Sequence, residues 1–398
     1  MDRWSTGEAN CGVQVIYDVA VVGAGPAGSY LSYLLARDGY AVALLDKAEF
    51  PRDKVCGGGI SNKALELLGF DVSPAVERRI VGAYLTYQNR DTILRDLDGR
   101  SGVTVTRTSF DDCLLQRAVS QGARFFPGHR FLSVSTNGAI THIQTSRGRV
   151  RARYLAGADG VFSQVRAAAF GRSLVRYAPV LEALVSVKPE VIDRFNNRIL
   201  LDFGGIARGY GWIFPKHDHL NVGVFSIYGS RDLRSDLHSF MQRYDALRSY
   251  TKTVYRGSAI PVANSRGVYQ YKQVLLVGDA AGFAESFYGE GIYFALKSAA
   301  LAHRALTTQA DGGAEEQYAR LVASELAPDL KYSRLNARLF FPRQKFGFYH
   351  MVRSVYVNEY FAELIGGGVS HKECFYKTIA TSPYWFWSRR YPYVAERF

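Results

Sequence analysis

The feature that most constrains this chain is Gly23-Ala24-Gly25-Pro26-Ala27-Gly28, a G-x-G-x-x-G run set directly after the apolar, β-rich segment YDVAVVG at residues 17–23. Each glycine answers a separate steric demand. The first permits a tight turn out of the strand. The second lets backbone come close to a pyrophosphate, and the third lets the following helix pack against the strand. Apolar residues then recur at helical spacing from Pro26 to Arg37, Gly39 breaks the pattern, and a second apolar run ends in Asp46-Lys47. This is a β–α–β unit of about 30 residues. A diphosphate at the helix N-terminus would meet free N–H groups and the positive end of the dipole. A carboxylate at Asp46 can accept hydrogen bonds from a ribose diol. The unit predicts a nucleotide-binding domain.

Composition sets limits around that domain. With 398 residues, 47% of them apolar and 21% charged, the chain is long enough for two intertwined domains and has no low-complexity stretch. Its four cysteines, Cys11, Cys56, Cys113 and Cys374, lack C-x-x-C spacing, and no His/Cys cluster has the spacing of zinc ligands. A disulfide framework is not expected, and the reading is a reducing, cytoplasmic compartment. The first 16 residues show no basic region followed by an apolar one, so no signal peptide is expected. No run of about 18 apolar residues predicts a transmembrane helix. The formal charge of +13 fits a generally basic surface, or attraction to a diphosphate or an anionic membrane face. No nucleic-acid-binding motif accompanies it, and no nucleic-acid partner is expected.

Beyond residue 80, alternating patterns such as YLTYQ (84–88) and VTVTR (103–107) read as strands. Helical periodicity returns over Phe110–Ser120, with Arg107 just before it. Residues 180–262 are mostly strand-like, with one helix near 232–247. Val274–Val277 reads as a buried strand, and helices are expected over 289–308 and 314–338.

Two later segments narrow the ligand. RYLAGADGVFSQVR (153–166) has a strand-like run ending in Gly157-Ala158-Asp159-Gly160 before a helix, and GDAAGFAESFYGEG (278–291) stands between a strand and a helix. With the first glycine run, these resemble FAD enzymes of the p-hydroxybenzoate hydroxylase-like group over most of the chain to about residue 310. The resemblance implies an α/β fold, α+β overall. A Rossmann-type FAD-binding domain (14–80, 103–170 and 265–310) would carry an inserted β-sheet substrate domain (81–102 and 171–264). A helical, aromatic and basic C-terminal region (311–398) would follow. It also implies that Gly23, Gly25, Ala27, Gly28, Asp46, Lys47, Cys56, Gly58, Arg107, Asp159, Gly160, Asp279, Gly289, Gly291 and Ile292 hold the cofactor. A helix N-terminus near the flavin N1–C2=O edge would stabilise the reduced, anionic ring.

Three more segments narrow the resemblance: FPRDKVCGGGI (50–60), GYGWIFPKHDHLNVGV (209–224) and GEGIYFALKS (289–298). Together they resemble the geranylgeranyl reductase family, which saturates prenyl chains of diphosphates, archaeal lipids, chlorophyll precursors or quinones. The family's substrate element continues with Gly-x-Gly about seven residues after its proline. Here Gly223-Val224-Phe225 stands there, without the second glycine, a departure that bears on the shape of the substrate. Many relatives also carry a proline after G-D-A-x-G, where this chain has Glu285-Ser286-Phe287.

Tyr210, Trp212 and Phe214 alternate along a probable strand, which puts all three on one face. Such a face can form the floor of an isoprenoid channel or belong to an ordinary sheet core. The resemblance implies that Tyr210, Trp212, Phe214, Pro215 and Gly223 bind the substrate and that Cys56, Gly57, Tyr210 and Trp212 stand at the reacting bond. Cys56 can supply a proton or shape the pocket, and the glycines at 57–59 would let backbone approach the flavin ring. Lys54, Lys216, His217 and His219 are the cations near these motifs that a diphosphate could use, although each taken alone reads as part of a solvated face. The tail YWFWSRRYPY (384–393) suits a membrane interface or a packed cap. With no second dinucleotide fingerprint, the electron donor is expected to be transiently bound NADPH or a reduced ferredoxin-like carrier, an acidic partner for a basic surface. A prenyl small molecule is the expected substrate, with peripheral contact to a membrane. A flavin monooxygenase or halogenase, and a non-catalytic prenyl-binding protein, share parts of this pattern. The K-x-C-G-G-G and Y-x-W-x-F-P elements and the intact glycine motifs favour the reductase.

Overall fold

The computed structural model describes residues 15–97, 99, 102–171, 175–227, 229, 232–248, 250–264, 267–308, 313–384, 390–396 and 398. Its mixed α/β architecture is organised by two large sheets. The first forms around the glycine run. Ile16–Val22 pairs in parallel with Val42–Leu45 on one side and with Gly148–Gly157 on the other. Arg124–Phe126 and Val274–Leu276 extend the sheet outward, also in parallel. Val42 to Leu45 are all buried, the near-continuous apolar pattern expected of strands covered on both faces. The carboxyl ends of three of these strands lead into Gly23, Ala158 and Gly278. Motifs that lie far apart in sequence therefore meet at one edge, where open α/β sheets bind ligands.

The second sheet has seven strands in the order Lys252–Asn264, Val175–Ser186, Leu220–Ser226, Gly209–Pro215, Arg198–Phe203, Gly82–Tyr87 and Asp91–Asp96. All neighbours are antiparallel except Arg198–Phe203 with Gly82–Tyr87. One face packs Ile213, Leu220 and Val222 against Leu237 and Phe240 of the helix Leu233–Gln242. The other packs Tyr210, Trp212 and Phe225 against Phe287, Phe340 and Phe348. The alternation along Gly209–Pro215 makes this division. Its small residue is needed on the helix side, where a Cβ at Gly211 would lie 2.6 Å from Phe240 Cε2. A third, small sheet joins Gly59–Ile60, Gly102–Val105 and Val76–Ile80.

Several element boundaries differ from the sequence reading. The helix expected over 289–308 starts at Ile292, because Gly289 takes a left-handed φ of 72° before it. The helix expected over 314–338 is two helices, Gly313–Glu325 and Ala327–Phe340. Pro328 has no N–H to continue the first, but its fixed φ suits the first turn of the second. The helix expected from Phe110 begins at Arg107, which is its first residue rather than the one before it. The helix near 232–247 ends at Gln242 and is followed by a 3-10 turn at Asp245–Leu247. Of the aromatic tail, residues 385–389 lie outside the described residues. Tyr391 hydrogen-bonds Arg353, and Phe398 is buried in a stack on Phe195 at 4.8 Å.

Candidate active site

The glycine run has the geometry its pattern demands. Gly23 takes φ 106°, and a Cβ there would lie 2.3 Å from Ala158 O. A Cβ on Gly28 would lie 1.8 Å from Gly23 O, so the helix can approach only with hydrogen at that place. Gly25 differs. A Cβ there would meet only Arg52 Nη2, at 3.4 Å, because the residue faces a cavity. Asp46 is buried and braces the turn. Its carboxylate accepts hydrogen bonds from Ala24 N at 2.7 Å and Ala48 N at 2.8 Å.

The cavity holds about 850 Å³ and runs from Gly23, Gly25 and Ala27 past Cys56 to the aromatic strand. Its middle is crowded with charge. Asp111 is fully buried and takes both Nε and Nη2 of Arg107, at 2.6 and 2.7 Å, and Arg52 Nη2 at 3.0 Å. Arg52 Nη1 is buried and has no hydrogen-bond partner. Lys54 is pushed below the ordinary lysine range by burial, with Asp279 partly offsetting that effect and Arg107 adding to it. Asp279 lies in the turn Gly278–Ala281, and its Oδ1 would be 3.4 Å from a Cβ on Gly291, the N-cap of the helix Ile292–Thr307.

Farther along, the walls become apolar. Tyr210, Trp212 and Phe214 share one face as their alternation predicted, with ring centroids 6.3 and 6.4 Å apart. Val180, Ile199, Leu201, Phe225 and Ile260 continue the lining. The loop carrying Cys56 lies over this face. A Cβ on Gly57 would stand 3.2 Å from Trp212 Nε1, and one on Gly59 would stand 2.9 Å from Phe214 Cε2. Gly57 and Gly59 thus lie close against the aromatic rings of the chain itself, while Gly58, at φ 67°, packs against Val105 O. Cys56 lines the cavity, Gly58 N donates to its Sγ at 3.3 Å, and the Arg107 guanidinium lies close enough for its charge to act on the same side chain.

The four cations expected for a diphosphate do not converge. Only Lys54 lines the cavity. Lys216 turns inward, and its Nζ donates to Gly57 O and Val105 O, both at 2.8 Å. His217 is held through its backbone N–H by Glu77, and His219 pairs with Asp218 at 2.7 Å.

Comparison with known proteins joins this geometry to a family. A model described as an FAD binding domain matches residues 16–174. The chain is 32% identical over 334 residues to an uncharacterized protein of Methanosarcina barkeri, covering 82% of this chain and 84% of that one. It is 29% identical over 291 residues to a digeranylgeranylglycerophospholipid reductase of Methanococcus vannielii, covering 70% and 74%. A geranylgeranyl bacteriochlorophyll reductase-like structure from Thermoplasma acidophilum superposes with a TM-score of 0.74 at 21% identity, covering 93% of this chain and 97% of that one. The chain belongs to the geranylgeranyl reductase family of FAD-dependent oxidoreductases. That last likeness concerns the fold.

The residues present fit FAD. Gly25 leaves space where a pyrophosphate would lie. Arg52 offers an unpartnered buried N–H beside it. Three cations, Arg52, Lys54 and Arg107, face two carboxylates, Asp111 and Asp279, leaving an excess of positive charge for a dianion. Most residues assigned to the cofactor from the sequence line the same cavity, including Lys47, Gly58, Gly160, Gly289 and Ile292. Four assignments change character, two to the cofactor and two to the substrate. Gly28 packs against Gly23 rather than facing the cavity. Asp159 reaches the wall, but its oxygens accept from Ser163 Oγ, Gln164 N and Val165 N, so it caps the helix Gln164–Phe170. Pro215 and Gly223 lie behind the wall. Pro215 O accepts from Thr104 Oγ1, and a Cβ on Gly223 would stand 2.1 Å from Trp212 Cζ2.

Sequence reasoning missed Arg52, Asp111, Glu182, Asn221 and Arg256. Arg52 stood inside FPRDKVCGGGI, and Glu182 is a lone charge in the apolar run VLEALVSV (180–187), a signal that could have been used. The other three have no local signature.

Proposed function

We propose that this chain hydrogenates carbon–carbon double bonds of a geranylgeranyl-type prenyl chain, carried on a diphosphate, lipid, quinone or chlorophyll-type group. The observation that carries the reading is the continuity of one cavity, from the open Gly25 and the cation cluster to an aromatic and aliphatic slot. The name of the Methanococcus vannielii relative, a digeranylgeranylglycerophospholipid reductase, supports the substrate class.

FAD bound in its reduced form supplies the hydride. The chain's own residues supply the rest. Tyr210, Trp212 and Phe214 give the alkene a flat, apolar floor, and their π faces tolerate the positive charge that develops on carbon. Tyr210 is fixed by the hydrogen bond from its hydroxyl to Tyr288 O. Val180, Leu201 and Ile260 keep water from the bond. Cys56 gives the second hydrogen as a proton. The thiolate left behind accepts from Gly58 N–H and is stabilised by the nearby positive charge of Arg107, which Asp111 holds in place. The hydride and the proton together add two hydrogens to each double bond.

NADPH or a reduced ferredoxin-like carrier replenishes the electrons, and the +13 charge favours an acidic carrier. No helix among the described residues is long and apolar enough to cross a membrane. Exposed Tyr376 and Ile379 beside Lys372 and Lys377 on the helix His371–Ala380 suit peripheral contact with one.

The test is anaerobic. The bound flavin is reduced with dithionite, geranylgeranyl diphosphate is added, and flavin reoxidation and product mass are followed together. Reoxidation with mass gains of two hydrogens per step is expected. Reoxidation only when oxygen is admitted, with any prenyl carrier, would replace the reading with an oxygen-using flavoenzyme.

A further inference from the structure

Behind the aromatic floor runs a buried polar chain that the chemistry above does not use. Trp212 Nε1 donates to Asn221 Oδ1 at 2.8 Å. The Asn221 amide in turn donates to Glu182 Oε2 at 3.1 Å and reaches Cys56 O at 3.5 Å. Arg256 donates to Glu182 Oε1 from Nε at 3.0 Å and from Nη2 at 2.6 Å, and its remaining Nη1 holds Asp53. Glu182 and Asn221 are 0% and 1% exposed.

The sheet register explains why these groups meet. Glu182 stands opposite Gly223 on one neighbouring strand and Arg256 on the other. Gly223 stands opposite Trp212 and lacks a side chain, so the indole can lie over it and reach Asn221. A carboxylate buried in a sheet is costly unless paired, and an amide is costly unless both its ends are used. Here both conditions are met by groups that lead to two functional places. One end of the chain is the indole of the floor. The other is the loop Asp53–Cys56, gripped at Asp53 by Arg256 and at the Cys56 carbonyl by Asn221.

We propose that Asn221, anchored by Glu182 and Arg256, is a positioning residue that fixes the Trp212 indole and the Cys56 loop relative to each other, and so sets which double bonds of a prenyl chain are brought to the reacting position. The functional consequence rests on the reading under Proposed function.

The experiment compares the full FAD-loaded chain with Asn221→Leu, which keeps the volume and removes both hydrogen-bonding ends. Glu182→Gln, which keeps the shape but replaces the carboxylate that anchors the Asn221 amide and the Arg256 guanidinium, is the second variant should the first fail to fold. Each is reduced with dithionite and given geranylgeranyl diphosphate, and amide hydrogen exchange is followed at 57–59 and at the distant strand Ile16–Val22. The expected result is reoxidation slower by about tenfold, the worth of one buried hydrogen bond, with products shifted toward incompletely reduced chains. FAD content and dithionite reduction stay unchanged, and exchange quickens at 57–59 but not at Ile16–Val22. A parental rate with parental product masses overturns the proposal, as does faster exchange in both regions, which marks a general loss of structure. Should the parental chain itself fail to reduce the prenyl probe, the reading under Proposed function falls. Exchange then decides the positioning role alone: selective release of 57–59 upholds it, and unchanged exchange overturns it.

Discussion

Replacing Gly223 by alanine perturbs the floor through a single methyl group. The backbone at Gly223 is not in the left-handed region, so the substitution brings no conformational strain of its own. The methyl would stand 2.1, 2.4 and 2.6 Å from Trp212 Cζ2, Cη2 and Cε2. Carbon atoms rest at about 3.5–4.0 Å, so the indole must withdraw by about 1.5 Å. Its hydrogen bond to Asn221 is 2.8 Å long and does not survive such a shift. Overpacking costs about 1–3 kcal/mol and the lost bond about 1 kcal/mol, for a total destabilisation of about 2–4 kcal/mol. An ångström-scale misplacement at the reacting centre costs about a hundredfold in rate. The glycine run and the cation cluster lie elsewhere, so the flavin-to-protein ratio is expected to match the parent. The assay is thermal unfolding together with anaerobic single-turnover reoxidation by geranylgeranyl diphosphate. A variant with parental stability and parental rate would refute the account of why glycine stands at this place.

Three further outcomes are expected. Cys56→Ser keeps bound FAD and slows alkene reduction by roughly a hundredfold, the usual worth of a positioned acid; full activity removes the proton from that thiol. Arg52→Ala weakens FAD binding about tenfold to a hundredfold, as loss of a charge-assisted hydrogen bond does, measured by fluorescence titration of the flavin-free protein; unchanged affinity would place the pyrophosphate elsewhere. Lys216 is pushed down to about 8 by burial, from an ordinary value of about 10.4. Between those two values the unfolded chain binds more protons than the folded one. The penalty for burying the ammonium is therefore complete below pH 8 and relieved as pH rises toward about 10.4, by roughly 3 kcal/mol. The stability of the parent relative to Lys216→Met should rise over that window in denaturant titrations, and a difference that stays flat would mean that Lys216 is not buried as a cation.

The nucleotide-binding half was legible because its demands are local. A turn with φ 106° at Gly23 and a helix that tolerates no Cβ at Gly28 leave one residue type at each place, and these lie within six positions of each other. The aromatic face was legible for the same reason, since alternation along one strand decides which side Tyr210, Trp212 and Phe214 take. The helix break at Pro328 was also written in the sequence, although the periodicity on either side of it obscured the boundary.

What the sequence alone determined, then, was the set of short segments whose backbone conformation or side-chain periodicity is decided by near neighbours: the glycine turns, the strand–helix units and the one-sided aromatic strand. The tertiary structure decided where charge and amide groups go. Lys216 and Lys54 read alike as cations near a motif, yet one turns beneath the Gly57 loop and the other into the cavity. Glu182, Asn221 and Arg256 come from three different strands and meet only through sheet register, and Asp53 joins them from a loop more than a hundred positions away in sequence. The physical reason is that a buried polar group is held by whichever partner the fold brings within about 3 Å, and no spacing along the chain encodes that distance.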